Sequence, residues 1–226
     1  MSEHYFSKKP TSEHDFNTFI YNIPGTEKKI NIKTDAGVFS KNYVDKGSNL
    51  LIETIKPRVK SKVLDIGCGY GVIGLSLYTK EPSIILTLAD INERAVNLAR
   101  ENAVANKISA KVLQSDGFEN IDNQFDLIVF NPPIRAGKDV YYKIIAESNN
   151  HLVGGGSLII VIRKKQGGPS LMKYLKEIFG NCKKLNRSGG YWIIQSTKVQ
   201  RSLWLKFSQK PFLVFTYNLI KPTAFW

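Results

Sequence analysis

KVLDIGCGYGVIGLSLYTK, residues 62–80, sets one apolar run against three glycines and then a second apolar run. KVLDIG (62–67) reads as a strand and YGVIGLSLYTK (70–80) as a helix. Gly67, Gly69 and Gly71 fall between them, where a missing Cβ lets backbone come close to a ligand. A GxGxG string alone says little. A strand before it, a helix after it and an acid at the strand end make it a nucleotide-type loop.

Working outward, the same alternation continues. Strands are predicted at 84–90, 110–116 and 125–131, a glycine turn and then a strand over 154–164, and helices at 92–106, 138–153 and 169–180. Asn92 suits the N-cap of the first of these helices. Pro169 sits near the start of the last. FDLIVFN (125–131) is almost continuously apolar, as a parallel strand buried on both faces should be. Residues 182–188 and 191–197 flank Gly189-Gly190, too close together for a crossover helix, so they should pair antiparallel. Upstream, 19–23 and 28–34 alternate around PGTE and read as a hairpin. The last third of 35–55 reads as a helix burying Leu50, Leu51 and Ile55. The fold class is therefore α/β: a Rossmann-like, doubly wound, seven-stranded sheet with an antiparallel last strand, preceded by an N-terminal β-hairpin. The expected division is an arm, hairpin and helix over 1–60, a catalytic domain over 61–198 and a tail over 199–226.

The 226 residues are 42% apolar, enough for a substantial core, and carry a net charge of +13. That excess favours a polyanionic partner. Cys68 and Cys182 belong to no CxxC pair, and His4, His14 and His151 lack ligand spacing, so neither disulfides nor a metal are expected. MSEHYFSKKP has no apolar leader, and no run reaches the ~18 apolar residues of a membrane span. A cytoplasmic location with no membrane span is the expectation.

Three successive strands end in acids: Asp65 before the glycine loop, Asp90 roughly 20 residues on, and Asp116 after Ser115. A carboxylate inside the loop repels a pyrophosphate and suits a cationic or zwitterionic ligand. S-adenosylmethionine, with sulfonium, ammonium, ribose and adenine, fits such a set. Asp65 would orient the methionine end, Asp90 the ribose and Asp116 the adenine amino group.

VLDIGCGYGVIG, LADIN, QSDGFENI and FDLIVFNPPIRAG, taken in order, resemble the motifs of class I S-adenosylmethionine-dependent methyltransferases. With AGVFSKNYVDKGSNLLIETI upstream and GGGSLIIVIRKKQGG downstream, residues 1–198 resemble the small methyltransferase domain of the ribosomal RNA guanine-N2 methyltransferases of the RsmC type. The resemblance implies Asp65, Gly67 and Gly69 at the methionine end, Asp90 at the ribose and Ile91 against the adenine. It implies Asp116 and Gly117 at the adenine edge, Asn131 bordering both cofactor and acceptor, and Asn131, Pro132, Pro133 and Ile134 meeting the acceptor. Larger members carry a further N-terminal domain with no counterpart in this sequence. The position after the second proline, often aromatic in the family, is Ile134, which packs but offers no π face.

The NPP stretch has a chemical rationale. An exocyclic amine must turn tetrahedral to attack a sulfonium methyl, and two acceptors on its two hydrogens favour that geometry. Asn131 Oδ1 and the Pro132 carbonyl are the candidate acceptors, with alignment supplying most of the acceleration. Phe39, Arg135 and Lys138 are expected to flank the acceptor end. The implied partner is RNA, in ribosomal RNA or the small ribosomal subunit. Adenine-N6 or protein glutamine-N5 transfer, which share NPP, and a non-catalytic RNA-binding module remain alternatives. The tail has no acid, four bases and seven aromatics, and reads equally as an RNA-contacting extension, a membrane-surface anchor or a fortuitous addition.

Overall fold

A computed structural model describes residue 8, residues 12–38 and residues 43–200. Phe39 and tail residues 201–226 lie outside these described residues.

The hairpin pairs β1 (Asn17–Asn22) antiparallel with β2 (Lys29–Thr34). Helix α1 (Lys46–Thr54) follows and buries Leu50 and Leu51, with Ile55 buried at its end. Then come β3 (Lys62–Ile66), α2 (Val72–Lys80), β4 (Ile85–Asp90), α3 (Glu93–Ala105), β5 (Ala110–Gln114) and β6 (Phe125–Phe130). The chain continues with α4 (Lys138–Asn150), β7 (Leu152–Arg163), α5 (Gly168–Phe179), β8 (Lys183–Ser188) and β9 (Tyr191–Thr197). Seven strands form one sheet in the order β5-β4-β3-β6-β7-β9-β8. β5 to β7 are parallel, and β9 runs antiparallel between β7 and β8. The doubly wound sheet and the hairpin expected from the sequence are both present.

Strand alternation divides the core into two. Val63, Leu127, Val129, Ile159 and Val161 face one side with α1, α2, α3 and the hairpin. Leu64, Ile66, Ile128, Phe130, Leu158 and Ile160 face the other, under α4 and α5. The period of two along each strand is the whole reason. The order reverses at β3, whose neighbours are β4 and β6, so a cleft opens beyond their C-terminal ends.

The sequence expectation fails locally at 150–156. The helix predicted to Val153 stops at Asn150, because Leu152 is fully buried and pairs with Phe125 in β7. The three glycines are not a turn before the strand but lie within it, where the register shifts. A Cβ on Gly156 would come within 2.9 Å of the Phe125 carbonyl oxygen, so only glycine allows that approach.

The hairpin is fixed to the domain by asparagines one helical turn apart on α3. Asn102 Oδ1 accepts from Lys33 N–H at 2.7 Å, and its Nδ2 donates to the carbonyls of Lys33 and Tyr70 at 2.9 Å each. Asn106 exchanges the same pair of bonds with Asn31, at 2.8 and 2.7 Å. The two amides thus act as a third strand along the free edge of β2. Asn102 is buried and Asn106 is not. Asn102→Ala should therefore cost about 2–4 kcal/mol in urea unfolding, since it orphans buried backbone groups, whereas Asn106→Ala should cost under about 1.5 kcal/mol. Equal effects would mean that water replaces both amides equally well.

Candidate active site

The crevice at the switch point has a volume of about 300 Å³. Gly67, Gly69, Asp90, Ile91, Asp116, Gly117, Asn131, Pro132 and Pro133, named from the sequence, all line it. They come from four different strand ends and are brought together by the parallel register alone.

The glycine loop is held by the acid of the next strand. Gly69 has a φ of 56°, a conformation that favours glycine, and a Cβ there would meet nothing within 4 Å. Its N–H donates to Asp90 Oδ2 at 2.8 Å. Asp90 Oδ1 accepts from Asn92 N–H at 2.9 Å, just before the first turn of α3. Burial raises the Asp90 pKa, while the Asn92, Gly69 and Ile91 N–H groups pull it down. Cys68, buried within the loop, has its thiol pushed well up by burial and then by Asp90 and Asp65, which makes it a poor nucleophile.

Asp65 is not in the crevice. It shares the strand face of Val63 and so points beneath α2. There its Oδ2 accepts from Gly74 N–H at 2.8 Å. The helix comes this close because residue 74 is glycine: a Cβ would lie 2.3 Å from Leu88 Cδ2. Asp65 Oδ1 is buried with no hydrogen-bond partner among the described residues. Burial pushes the Asp65 pKa up to about 7, the Gly74 N–H opposes, and Asp90 adds a smaller push. The carboxyl thus stands behind the loop, whereas the sequence reading expected it at the methionine end.

Asn131 follows β6 and turns toward α1. Asp45 caps that helix, with Oδ1 accepting from Gly47 N–H at 2.8 Å and Ser48 N–H at 3.2 Å. Ser48 Oγ donates to Asp45 Oδ2. Asn131 Nδ2 donates to Ser48 Oγ at 2.9 Å and reaches Asp45 Oδ2 at 3.4 Å. A carboxylate only accepts, so the amide nitrogen must face it and Oδ1 must face away. The Pro132 carbonyl accepts from Ile134 N–H at 2.9 Å, which fixes its direction and leaves one lone pair. Burial and then the Asp45 charge raise the hydroxyl pKa values of Tyr21 and Tyr70, so both rings stay neutral.

Of the remaining expected positions, one turns into the core and three keep to the crevice or its rim. Ile134 does not line the crevice; it packs on the core beneath α4 and α5. Arg135 and Lys138 are exposed outside the crevice, and the Lys138 ammonium sits 4.7 Å from the centre of the Tyr142 ring. Asp116 is paired at 3.7 Å with Lys8 of the N-terminal arm, whose carbonyl accepts from Glu93 N–H at 3.1 Å. Asp45 and Ser48 were missed. The Asp-x-x-Ser spacing signals a helix N-terminus, but nothing in it points to an amide 86 residues away. Val38, Val140 and Ile144, the apolar walls, carry no motif at all.

A reversed parallel sheet, a glycine loop bound to the next strand's acid and an Asn-Pro-Pro corner together define an S-adenosylmethionine-dependent methyltransferase. Residues 29–195 match the family model "Methyltransferase small domain". The chain belongs to the methyltransferase small-domain family. A Bacillus subtilis protein, "Uncharacterized protein YbxB", is 45% identical over 203 residues, covering 88% of this chain and all of that one. "Ribosomal RNA small subunit methyltransferase C" of Cronobacter sakazakii is 36% identical over 171 residues, covering 74% of this chain and 49% of its own. The chain thus spans about half the length of that relative. Among solved structures, the T. thermophilus 16S rRNA N2 G1207 methyltransferase, in complex with AdoMet and guanosine, superposes with a TM-score of 0.74. It is 25% identical, and the match covers 84% of this chain and 52% of that one. No helix among the described residues is long and apolar enough to cross a membrane.

Asp65 generates a pH prediction. Its carboxyl is raised to about 7 in the folded chain against an ordinary value of 3.8. Between those values the folded chain holds a proton that the unfolded chain has released, so stability falls as pH rises through the window. Asp65→Asn removes that ionisation cost and should raise Tm at pH 8 by roughly 4–8 °C, with the gain shrinking as pH falls and vanishing below about pH 4. Thermal melts at both pH values check this. An equal shift at each would mean that Asp65 carries no ionisation cost.

Proposed function

We propose that this chain methylates the N2 amine of guanine in RNA, with small-subunit ribosomal RNA as the substrate. The observation that carries the reading is the anchored Asn131 amide, whose Nδ2 is committed to Ser48 and Asp45. That commitment turns Oδ1 toward the crevice as a fixed acceptor. The acceptor-rich crevice also fits S-adenosylmethionine. Asp90 would hold the ribose hydroxyls with lone pairs left over from Gly69 and Asn92. Ile91, Val140 and Ile144 would enclose the adenine. When bound, that cofactor supplies an electrophilic methyl group on a sulfonium.

The residues of this chain then do three things. Asn131 Oδ1 and the Pro132 carbonyl accept the two hydrogens of the amine, which favours a tetrahedral nitrogen and stabilises its developing positive charge. Ser48 and Asp45 keep the Asn131 amide from flipping. The apolar walls exclude water from the line of attack. No strong base is required, because the charged product amine is acidic enough to lose its proton to water. The guanine and ribosomal parts of the reading are supported by the names of relatives and by the guanosine in the T. thermophilus complex.

Incubating the chain with methyl-labelled cofactor and ribosomal RNA, then digesting to nucleosides, should place the label on guanine N2. Label on adenine N6 or on protein would replace this reading with one of the alternatives. Asp90→Ala should weaken cofactor binding by about 1.5–3 kcal/mol in calorimetry, the scale of a charge-assisted hydrogen bond. An unchanged affinity would remove Asp90 from the ribose site. Asn131→Ala should lower the single-turnover rate roughly 10²-fold while leaving cofactor affinity intact. Asn131→Asp should be equally poor, because it sets a second carboxylate against Asp45 Oδ2 in place of the donated N–H. An aspartate variant near wild-type rate would mean that the amide NH₂ has no orienting role.

A further inference from the structure

The positive charge of this chain is unevenly placed. Between Leu152 and Gln200 there are nine lysines and arginines and one acid, Glu177. This segment forms the β7-β9-β8 margin of the sheet, next to β6 and therefore on the acceptor side of the crevice. Its two ends differ. Lys183 and Lys184 lie early on β8, an edge strand, where charge keeps the edge from pairing with another chain. That explanation does not reach Arg163, which ends the interior strand β7, or Lys164 and Lys165 in the turn that follows it.

The register gathers these residues at the same end of the sheet as Asn131. Arg163, the last residue of β7, pairs with Tyr191, the first of β9, and Tyr191 also pairs with Ser188 at the end of β8. Lys164 N–H donates to the Gly190 carbonyl at 2.9 Å, which ties the Lys164–Lys165 turn to the β8–β9 hairpin. Arg163, Lys164, Lys165 and Arg187 are all exposed, and among the described residues none of them forms a salt bridge. Arg163, Lys164 and Lys165 are consecutive, and Arg187, paired with Trp192, stands at the same sheet end on the other face. Like charges gathered at one end repel, and an anion there relieves that repulsion.

Tyr191 connects this row to the chemistry. The Arg163 guanidinium lies 4.8 Å over the centre of its ring. The ring edge rests on the first turn of α1, where a Cβ on Gly47 would come within 2.9 Å of it. Gly47 N–H donates to Asp45, which in turn faces the Asn131 amide. One aromatic ring therefore separates the cationic row from the group that orients Asn131.

We propose that Arg163, Lys164, Lys165 and Arg187 form a ledge that binds the phosphates of a single-stranded RNA segment flanking the acceptor base. The ledge rests on the reading of the substrate as RNA and adds where its backbone lies. A single strand is the fitting form, because in a duplex the N2 amine of guanine is engaged in base pairing and stacked out of reach.

The test is the triple variant Lys164→Gln/Lys165→Gln/Arg187→Gln, with Arg163 kept so that Tyr191 stays covered. Its control is Lys62→Gln/Lys107→Gln/Lys111→Gln, which removes the same charge from exposed positions near the opposite ends of the strands. Binding of a guanine-containing single-stranded oligoribonucleotide is followed by fluorescence anisotropy across a salt series. The ledge variant should bind about tenfold or more weakly at moderate salt, and its log–log salt slope should fall by about 2, from roughly 0.7 per phosphate on a single strand. The control should stay within about twofold of wild type, and both variants should keep the wild-type cofactor affinity and unfolding midpoint. A ledge variant with wild-type affinity and slope, or a control that loses as much, overturns the ledge while the RNA reading stands. A wild-type chain that binds no RNA at low salt overturns both.

Discussion

Side chains alternate across a strand, and on β3 and β6 that constraint decides what reaches the crevice. Val63 and Asp65 share a face, so the carboxyl is carried beneath α2 to the Gly74 N–H. Val129 and Asn131 share the same face, so the amide is carried toward α1. Two polar residues at the ends of neighbouring strands thus meet different fates. Asp65 lies one residue short of the strand end, with a helix above it. Asn131 lies one residue past the end, where the sheet stops and the cleft begins. A one-residue slip of either strand would turn its polar residue to the opposite face, under α4 and α5.

Helix α1 has a second task as a result. Its N-cap acid satisfies two of its own backbone donors and, through Ser48, the Asn131 amide. An orienting contact built on a capped helix end is rigid, because the cap already fixes the carboxylate. The hairpin contributes indirectly: Tyr21 donates to Asn49 of α1, and the asparagines of α3 hold the hairpin in place. The extension before the sheet therefore braces the acceptor wall.

Charge follows the same geometry. The acids Asp90 and Asp116 stand at the β4–β5 end of the crevice, and the cationic row stands beyond β6 at the other. The two ends of the crevice thus carry opposite fields. The B. subtilis relative aligns over its whole length, whereas the C. sakazakii ribosomal RNA methyltransferase aligns over about half of its own.

The sequence by itself determined the doubly wound sheet, the hairpin and the glycine loop with its acids, because each is written in local periodicity and in residues with one strong conformational preference. It also marked the Asn-Pro-Pro corner, since two prolines after a buried strand leave few other conformations. Only the tertiary structure decided that Asp65 sits behind the loop, that Ile134 belongs to the core and that Asp45 and Ser48 hold Asn131. It alone brought Arg163 and Arg187 to one end of the sheet. These are contacts between residues tens of positions apart, made by strand register and helix packing. Neither composition nor spacing along the chain carries that information, because both describe neighbours in sequence and the site is made of neighbours in space.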